Sequence, residues 1–506
     1  MPSTLQATRQ QQADPQSLSW SDGWLPWLFF GVALAVLLFN LGGAALFEPD
    51  EGRNAEKARE ILVLDNWITP HENFNPVLDK PIFFYWLIAL AYQLFGVSEW
   101  TARLPSALAA FGCVALIFDF ARRRWGPWEA LWGGWILLSS AGFFVLARIV
   151  IFDMTLTLFL TLALCAFYEA AHAEELKRRR IFCFLLYGSL AVATLIKGLI
   201  GVVLPGMIFF FYLLITHQWS LLRKIYLIPG AILFFTIVMP WYLQVDASNP
   251  GYLRYYFWDE HFGRYTGADF DRDQPWHYFI WMLMAGLFPW TLVVPFVAKR
   301  YAKLTLDDKT IYLLLWFALP FLFFSASTSK MPHYVLPILP AASILIAVPL
   351  VNLYHVSPSR AKFALSVTAL AQAVMVLYLV FGSLWPAVLP RPIRAAITAN
   401  YEFLWAYGAT ITIFFLFIVS WARRRPTSLR RVYLTHVTSV ALFLIFITHV
   451  MVLAAPDRSA KDLAAMAAPQ ISASTQVVFY DTYLSGMAFY LRAERPIWMV
   501  TRSNRK

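Results

Sequence analysis

Runs of about 20 mostly apolar residues, the length a helix needs to cross a bilayer, recur from Trp24 almost to Ala455. No other feature constrains the fold as much, because a chain in lipid must satisfy its backbone polar groups within its own helices. Of the 506 residues, 59% are hydrophobic and 14% charged, and the mean hydropathy is +0.57. Such a composition excludes a soluble globular domain. The 21 tryptophans, 23 tyrosines and 43 phenylalanines suit interfacial belts and buried helix contacts, so aromatic richness alone marks no sugar site. The net charge of +11 sits in short clusters between apolar runs, so membrane topology explains it and nucleic acid does not. Cys113, Cys165 and Cys183 lie within apolar stretches without a close pair, which assigns them to packing.

The expected architecture is an all-α polytopic membrane protein of about thirteen transmembrane helices, with outer juxtamembrane helices and a small C-terminal α/β appendage. Residues 1–23, polar and Gln-rich, read as a cytoplasmic tail, 24–455 as the membrane domain and 456–506 as the appendage. The expected spans are 24–47, 105–121, 128–147, 154–172, 181–196, 198–216, 225–245, 277–297, 310–327, 334–353, 363–384, 403–421 and 432–455. The apolar patch 82–95 is too short for a comfortable span and reads as an amphipathic helix at the interface. With that count, the clusters Arg122–Arg124, Lys177–Arg180, Arg223–Lys224, Lys299–Lys309, Arg360–Lys362 and Arg423–Arg431 all fall on one side, the cytoplasm. Loop 48–104, the turns at Arg148 to Asp153, at Lys197 and around Lys330, and loop 246–276 then face outward.

In the appendage, patterning predicts a helix around Ala460 to Met466, a strand Val477 to Tyr480, a helix near Ser485 to Leu491 and a strand Ile497 to Val500. No site motif appears in it, so it reads as a solvated cap on the outer loops in preference to a substrate-binding unit.

Ionisable groups near membrane depth are costly and mark function unless they pair or snorkel. The unusual ones collect on the outer side. Glu48-Pro49-Asp50-Glu51-Gly52-Arg53 follows the first span; helix capping would explain Asp50 alone but not three acids in four positions. Asp79-Lys80-Pro81 precedes the aromatic patch with Tyr85, where a lysine suits a phosphate or snorkels to headgroups. Asp153 opens the fourth span, where it could also complement the helix dipole. Lys197 interrupts a long apolar run and fits only a hairpin turn at the surface. Loop 246–276 supplies Glu260, His261 and Arg264, and a third turn supplies Lys330 and His333. Carboxylates that can activate or orient an acceptor, beside cations that stabilise a departing phosphate, fit displacement at a sugar anomeric carbon.

At these motifs the sequence resembles the polyprenyl-phosphate-dependent glycosyltransferases of the GT-C class, in particular the bacterial aminoarabinose (lipid A) transferases and their protein O-mannosyltransferase relatives. The resemblance runs from about Phe47 to Pro340 and is carried by Pro49-Asp50-Glu51 through Ala58-Arg59-Glu60, Asp65-Asn66-Trp67, Asp79-Lys80-Pro81 with Tyr85-Trp86, Leu94-Phe95-Gly96 and Arg103-Leu104-Pro105-Ser106. It implies a GT-C fold in the bacterial inner membrane with a periplasmic site. Asp50 would be the principal catalytic carboxylate, with Asp153 and Glu51 beside it. Lys80 and Lys197 would hold the carrier phosphate, with Arg53, Tyr85, Arg264, Lys330 and His333 also lining the substrate site. Asp79 and His261 would be ligands to a divalent ion such as zinc, although Asp79 stands where the aminoarabinose enzymes usually have glutamate. His333 replaces their usual threonine, and the appendage is short for that branch. The implied donor is undecaprenyl-phosphate-linked sugar, with 4-amino-4-deoxy-L-arabinose as the implied unit, and the implied acceptor is lipid A or another periplasmic molecule. The alternatives are transfer to a protein or another surface glycan and, from a different class, transport of a lipid-linked sugar. A transporter would commonly show repeated halves and charges near the bilayer midplane; the charges here gather on one face.

Overall fold

The computed structural model describes residues 23–258, 274–301, 306–327, 329–385, 394, 405, 408, 428–472 and 474–500. The first apolar run becomes helix only over Trp24–Leu38 (α1), 15 residues. Asn40 then takes a left-handed backbone at φ 48° and the chain runs irregularly to Pro49. The carbonyls this frees are held by two buried arginines from distant segments. Arg148 donates to the carbonyls of Val36, Leu37 and Phe39 at 3.1, 2.7 and 2.6 Å. Arg103 donates to those of Leu41, Ala44 and Ala45 at 3.1, 2.6 and 2.9 Å. Backbone polar groups away from water need such partners, so the expected span 24–47 is corrected to a shorter helix and an arginine-braced segment.

The outer segment continues with α2 (Asp50–Val63), a minimal antiparallel hairpin of β1 (His71–Glu72) and β2 (Asn75–Pro76), and α3 (Phe83–Phe95). At 13 residues, α3 is too short to cross a bilayer. Helix α4 (Glu99–Arg124) starts on a Ser98/Thr101 capping box. The expected span 128–147 breaks into α5 (Pro127–Ser139) and α6 (Ala141–Leu146). The hydroxyls of Ser139 and Ser140 bond back to the carbonyls of Trp135 and Ile136, and the Ala141 amide leaves the helix to donate to Phe288.

Next come α7 (Phe152–His172), α8 (Leu176–Lys197), α9 (Ile200–Thr216) and α10 (Leu227–Ser248). The expected span 277–297 is α11 (Tyr278–Gly286) and α12 (Val294–Tyr301), parted by a 3₁₀ turn at Trp290–Leu292 behind Pro289. The bundle continues with α13 (Asp308–Ala326), α14 (Leu339–Val356), α15 (Pro358–Leu384) and α16 (Leu429–Ala454). Among the described residues, eight helices are long and apolar enough to cross a membrane, while α1 and α9 are shorter apolar helices. The expected span 403–421 lies outside the described residues.

Basic clusters from separate loops meet at one end of the bundle. There Glu169 receives Arg124 at 2.8 Å and Arg178 at 2.7 Å, and Lys309 donates to the Arg124 carbonyl at 2.8 Å. This is the end that the charge pattern assigns to the cytoplasm. The opposite end carries α2, α3 and the C-terminal unit of α17 (Lys461–Ala467), β3 (Val478–Tyr480), α18 (Ser485–Leu491) and β4 (Trp498–Val500), with β3 and β4 paired in parallel. This unit packs on α2. A Cβ at Gly52 would lie 2.6 Å from the Gly486 nitrogen, so only glycine allows the two backbones to approach this closely. Arg59 donates to the Ala493 carbonyl at 2.5 Å, and Asn73 and Ile497 exchange two hydrogen bonds of 2.7 Å each.

Candidate active site

Asp50 is the first residue of α2, with Pro49 in the capping position and no capping hydrogen bond from a side chain. Capping therefore does not account for this acid. Its exposed side chain borders a cavity of about 410 Å³ walled mainly by apolar residues, among them Val145, Ile149, Ile447 and Val450, with Glu48, Glu51 and His333 as further polar members. That size suits a small-molecule ligand group, and the apolar wall of α16 suits a lipid chain.

His333 links this cavity to a second acid. The Asp153 carboxylate is 2% exposed; its Oδ1 lies 2.5 Å from the Lys197 ammonium and its Oδ2 lies 3.5 Å from His333 Nε2. Lys80 also acts electrostatically on Asp153. Lys197 ends α8 because Gly198 follows at φ 67°, a left-handed position that breaks the helix and makes the turn. Its ammonium rests 4.7 Å from the Tyr334 ring centre and 5.1 Å from that of Phe152. The fold thus brings Asp153, Lys197, His333 and Lys80 into one electrostatic cluster beside the Asp50 cavity.

Three expected site residues take structural places instead. Glu51 is 2% exposed and both its oxygens are saturated: Arg103 and the Val150 amide on Oε1 at 2.9 and 2.8 Å, Arg103 and the Phe47 amide on Oε2 at 2.8 and 3.0 Å. A carboxylate with four fixed donors is a hub of the outer segment rather than a proton acceptor. Tyr85 is buried between α2 and α3, 3.3 Å from Asn54 Oδ1, and burial pushes its hydroxyl up to about 12. Lys330 is 6% exposed and donates to the carbonyls of Ser327 and, at 3.0 Å, Gln274. It braces a turn whose carbonyls would otherwise lack donors.

Along α2 the charges interlock. Arg53 lies 3.3 Å from Glu72, and Lys57, 1% exposed, reaches Asp79 at 3.1 Å and Glu72 at 3.6 Å. Burial alone would lower the Lys57 ammonium; neighbouring Tyr85, Asp79 and Glu72 outweigh it and hold it above the ordinary lysine range. The Asp79 carbonyl in turn accepts from Lys80 at 2.8 Å. Among the described residues no group of three or more His, Cys, Asp or Glu is placed to hold a metal ion, and the Asp79 carboxylate that would ligate one already faces the Lys57 ammonium. Glu260, His261 and Arg264 lie outside the described residues.

Lys57 and Glu72, and the bracing roles of Arg103 and Glu48, do not stand out from the sequence pattern. Lys57 was traceable as the cation one helical turn beyond Arg53 on α2. Glu48 Oε1 accepts from the Gly486 amide at 2.6 Å, while its buried Oε2 has no hydrogen bond among the described residues. Burial raises the Glu48 carboxyl against the opposing pull of the Gly486 and Ser485 amides and Arg53.

An apolar helix bundle thus carries an amphipathic outer helix that starts at an aspartate, with lysines gathered at that same face. Residues 79–243 match the family described as dolichyl-phosphate-mannose-protein mannosyltransferase. The chain is 30% identical over 343 residues to an undecaprenyl phosphate-alpha-4-amino-4-deoxy-L-arabinose arabinosyl transferase of Pseudomonas fluorescens, covering 67% of this chain and 62% of that protein. It is 32% identical over 342 residues to the Aeromonas hydrophila protein of the same description, covering 67% and 61%. The matched segment thus spans less than two thirds of these relatives. The crystal structure of ArnT from Cupriavidus metallidurans bound to undecaprenyl phosphate superposes with a TM-score of 0.80 at 28% identity, covering 96% of this chain and 87% of that one. An Archaeoglobus fulgidus oligosaccharyltransferase shares the fold at a TM-score of 0.52 and 11% identity. The chain is thus similar in sequence to the aminoarabinose transferases and in fold to ArnT, and its segment 79–243 is shared with the protein mannosyltransferase family.

Proposed function

We propose that this protein transfers 4-amino-4-deoxy-L-arabinose from undecaprenyl phosphate to lipid A, or to another acceptor, at the periplasmic face of a bacterial inner membrane. The observation that carries this reading is the shared geometry of two halves: an apolar-walled cavity with Asp50 at its edge, joined through His333 to the Asp153–Lys197 pair. A lipid-linked donor needs the first half for its chain and the second for its phosphate.

In the transfer, the bond between the sugar C1 and the carrier phosphate oxygen breaks while an acceptor oxygen bonds to C1 from the opposite face. The electron pair leaves with the phosphate, whose charge Lys80 and Lys197 stabilise. An acceptor hydroxyl gives its proton to Asp50. An acceptor that is itself an ionised phosphate needs no base, and Asp50 then orients it. Arg53, one turn along α2 from Asp50, adds a half-exposed cation to the same region.

The Asp50→Asn variant tests this assignment in a reconstituted assay with undecaprenyl-phosphate sugar. Transfer is expected to fall by about 1,000-fold or more with membrane insertion intact, the scale of removing a principal catalytic group. Near-normal turnover would sink it. Mass spectrometry of lipid A from cells with and without the protein identifies the acceptor, and an unchanged profile points to a protein or another surface glycan.

A further inference from the structure

The Asp79 position is where the family resemblance places a ligand to a divalent ion. In this chain a buried ammonium is there instead. Lys57 Nζ lies 3.1 Å from Asp79 Oδ1 and 3.6 Å from Glu72 Oε2, and the Lys57 side chain is 1% exposed. A zinc ion on a carboxylate oxygen sits about 2.0–2.2 Å from it and needs three or four such ligands. At Asp79 it would bind a carboxylate that already faces, at 3.1 Å, the full positive charge of a side chain only 1% exposed, and the two cations would repel. Asp79 is also one methylene shorter than glutamate, so its carboxylate stays close to its own loop and meets the lysine that projects from α2.

We propose that Lys57 is a built-in cation that replaces a divalent ion, fastening the Asp79–Lys80 loop to α2, and that this protein works without a resident metal. The connection to the site is short. The Lys57 ammonium fixes the Asp79 side chain, the Asp79 carbonyl accepts from the Lys80 ammonium at 2.8 Å, and Lys80 acts on Asp153. Glu72, shared between Lys57 and Arg53, ties the same charge to the first turn of α2, where Asp50 lies. Lys57 touches neither the cavity nor the reacting atoms as described, so its role is positioning. It acts on the carrier phosphate through Lys80.

The role given to Lys80 rests on the sugar-transfer reading; the absence of a resident metal does not. The full-length protein is purified in detergent without chelator and its metal content measured by mass spectrometry, then transfer is assayed before and after 1,10-phenanthroline. Less than about 0.1 equivalent of zinc and an unchanged rate are expected, where a structural zinc would remain near one equivalent. Lys57→Gln is expected to raise the donor KM about tenfold, leave the acceptor KM unchanged, and acquire saturable zinc binding at the vacated Asp79–Glu72 pair. One equivalent of zinc in the wild-type protein with loss of activity on chelation would overturn the proposal. So would a folded Lys57→Gln protein with the wild-type donor KM. If that variant does not fold, the wild-type metal content and chelator response still decide. If no sugar transfer is found at all, the metal content decides alone.

Discussion

Helix α7 carries a buried acid at each end, and the two are finished differently. At the cytoplasmic end, Glu169 has one guanidinium on each oxygen, Arg124 at 2.8 Å and Arg178 at 2.7 Å. At the outer end, Asp153 has Lys197 on Oδ1, while the buried Oδ2 makes no hydrogen bond among the described residues and lies 3.5 Å from His333. The first acid is saturated and locks loops together. The second has one oxygen unspent, and its histidine neighbour borders a cavity, an expensive arrangement that serves a ligand rather than the fold. Both are buried acids at a helix end, and the number of fixed donors separates them.

The comparison breaks most visibly in Asp153→Asn. Removing the carboxylate frees Lys197 from its orienting partner, and transfer should fall about 100-fold or more while the protein still inserts and folds. Steady-state rates with the lipid-linked donor check this, and an Asp153→Asn protein with wild-type turnover would erase the distinction between the two ends. Glu169→Gln should do the reverse. Its partners are partly exposed, with side-chain exposures of 22% for Arg124 and 45% for Arg178, so the loss is about 1–2 kcal/mol of stability, read as a lower melting temperature in detergent. Transfer by the folded fraction should not change.

Much of the bundle was legible because lipid imposes one rule, an uninterrupted apolar helix, and α4, α7, α8, α10, α13, α15 and α16 obey it over the described residues. What hid were places where a distant side chain pays the backbone cost. The stretch 39–47 is apolar enough to read as membrane helix, and only Arg103 and Arg148, far along the chain, let it unwind. The run 128–147 likewise breaks after Ser140, where the Ala141 amide finds the distant Phe288 carbonyl, a partner that composition alone does not show. At the site, sequence locates Asp50, Asp153, Lys197 and His333 as outer-side groups. It does not distinguish Asp50 from adjacent Glu51, because that depends on which of the two meets Arg103. Pairing across 52 residues leaves no local signal.

A third carboxylate extends the comparison to a buried acid that is neither saturated nor at the cavity. Glu60 accepts from the Phe74 amide at 2.9 Å on Oε2, its Oε1 has no hydrogen bond among the described residues, and Glu56 with Arg59 stands one turn away on α2. Burial first, and the Glu56 charge second, push its carboxyl up to about 7 against the pull of the Phe74 and Asn73 amides and Arg59. The folded protein therefore holds the Glu60 proton more tightly than the unfolded chain does. The stability this contributes is fully present below about pH 4.5, the ordinary glutamate value, and is lost as pH rises through about 7. Since Glu60 sits where α2, the β1–β2 hairpin and the C-terminal unit meet, the loosening should start there and not in the bundle. Melting curves should show the protein less stable at pH 8 than at pH 5.5, and Glu60→Gln, which keeps the neutral form at every pH, should flatten that slope with little change in transfer at pH 6. A slope that survives the substitution would assign the effect to another group.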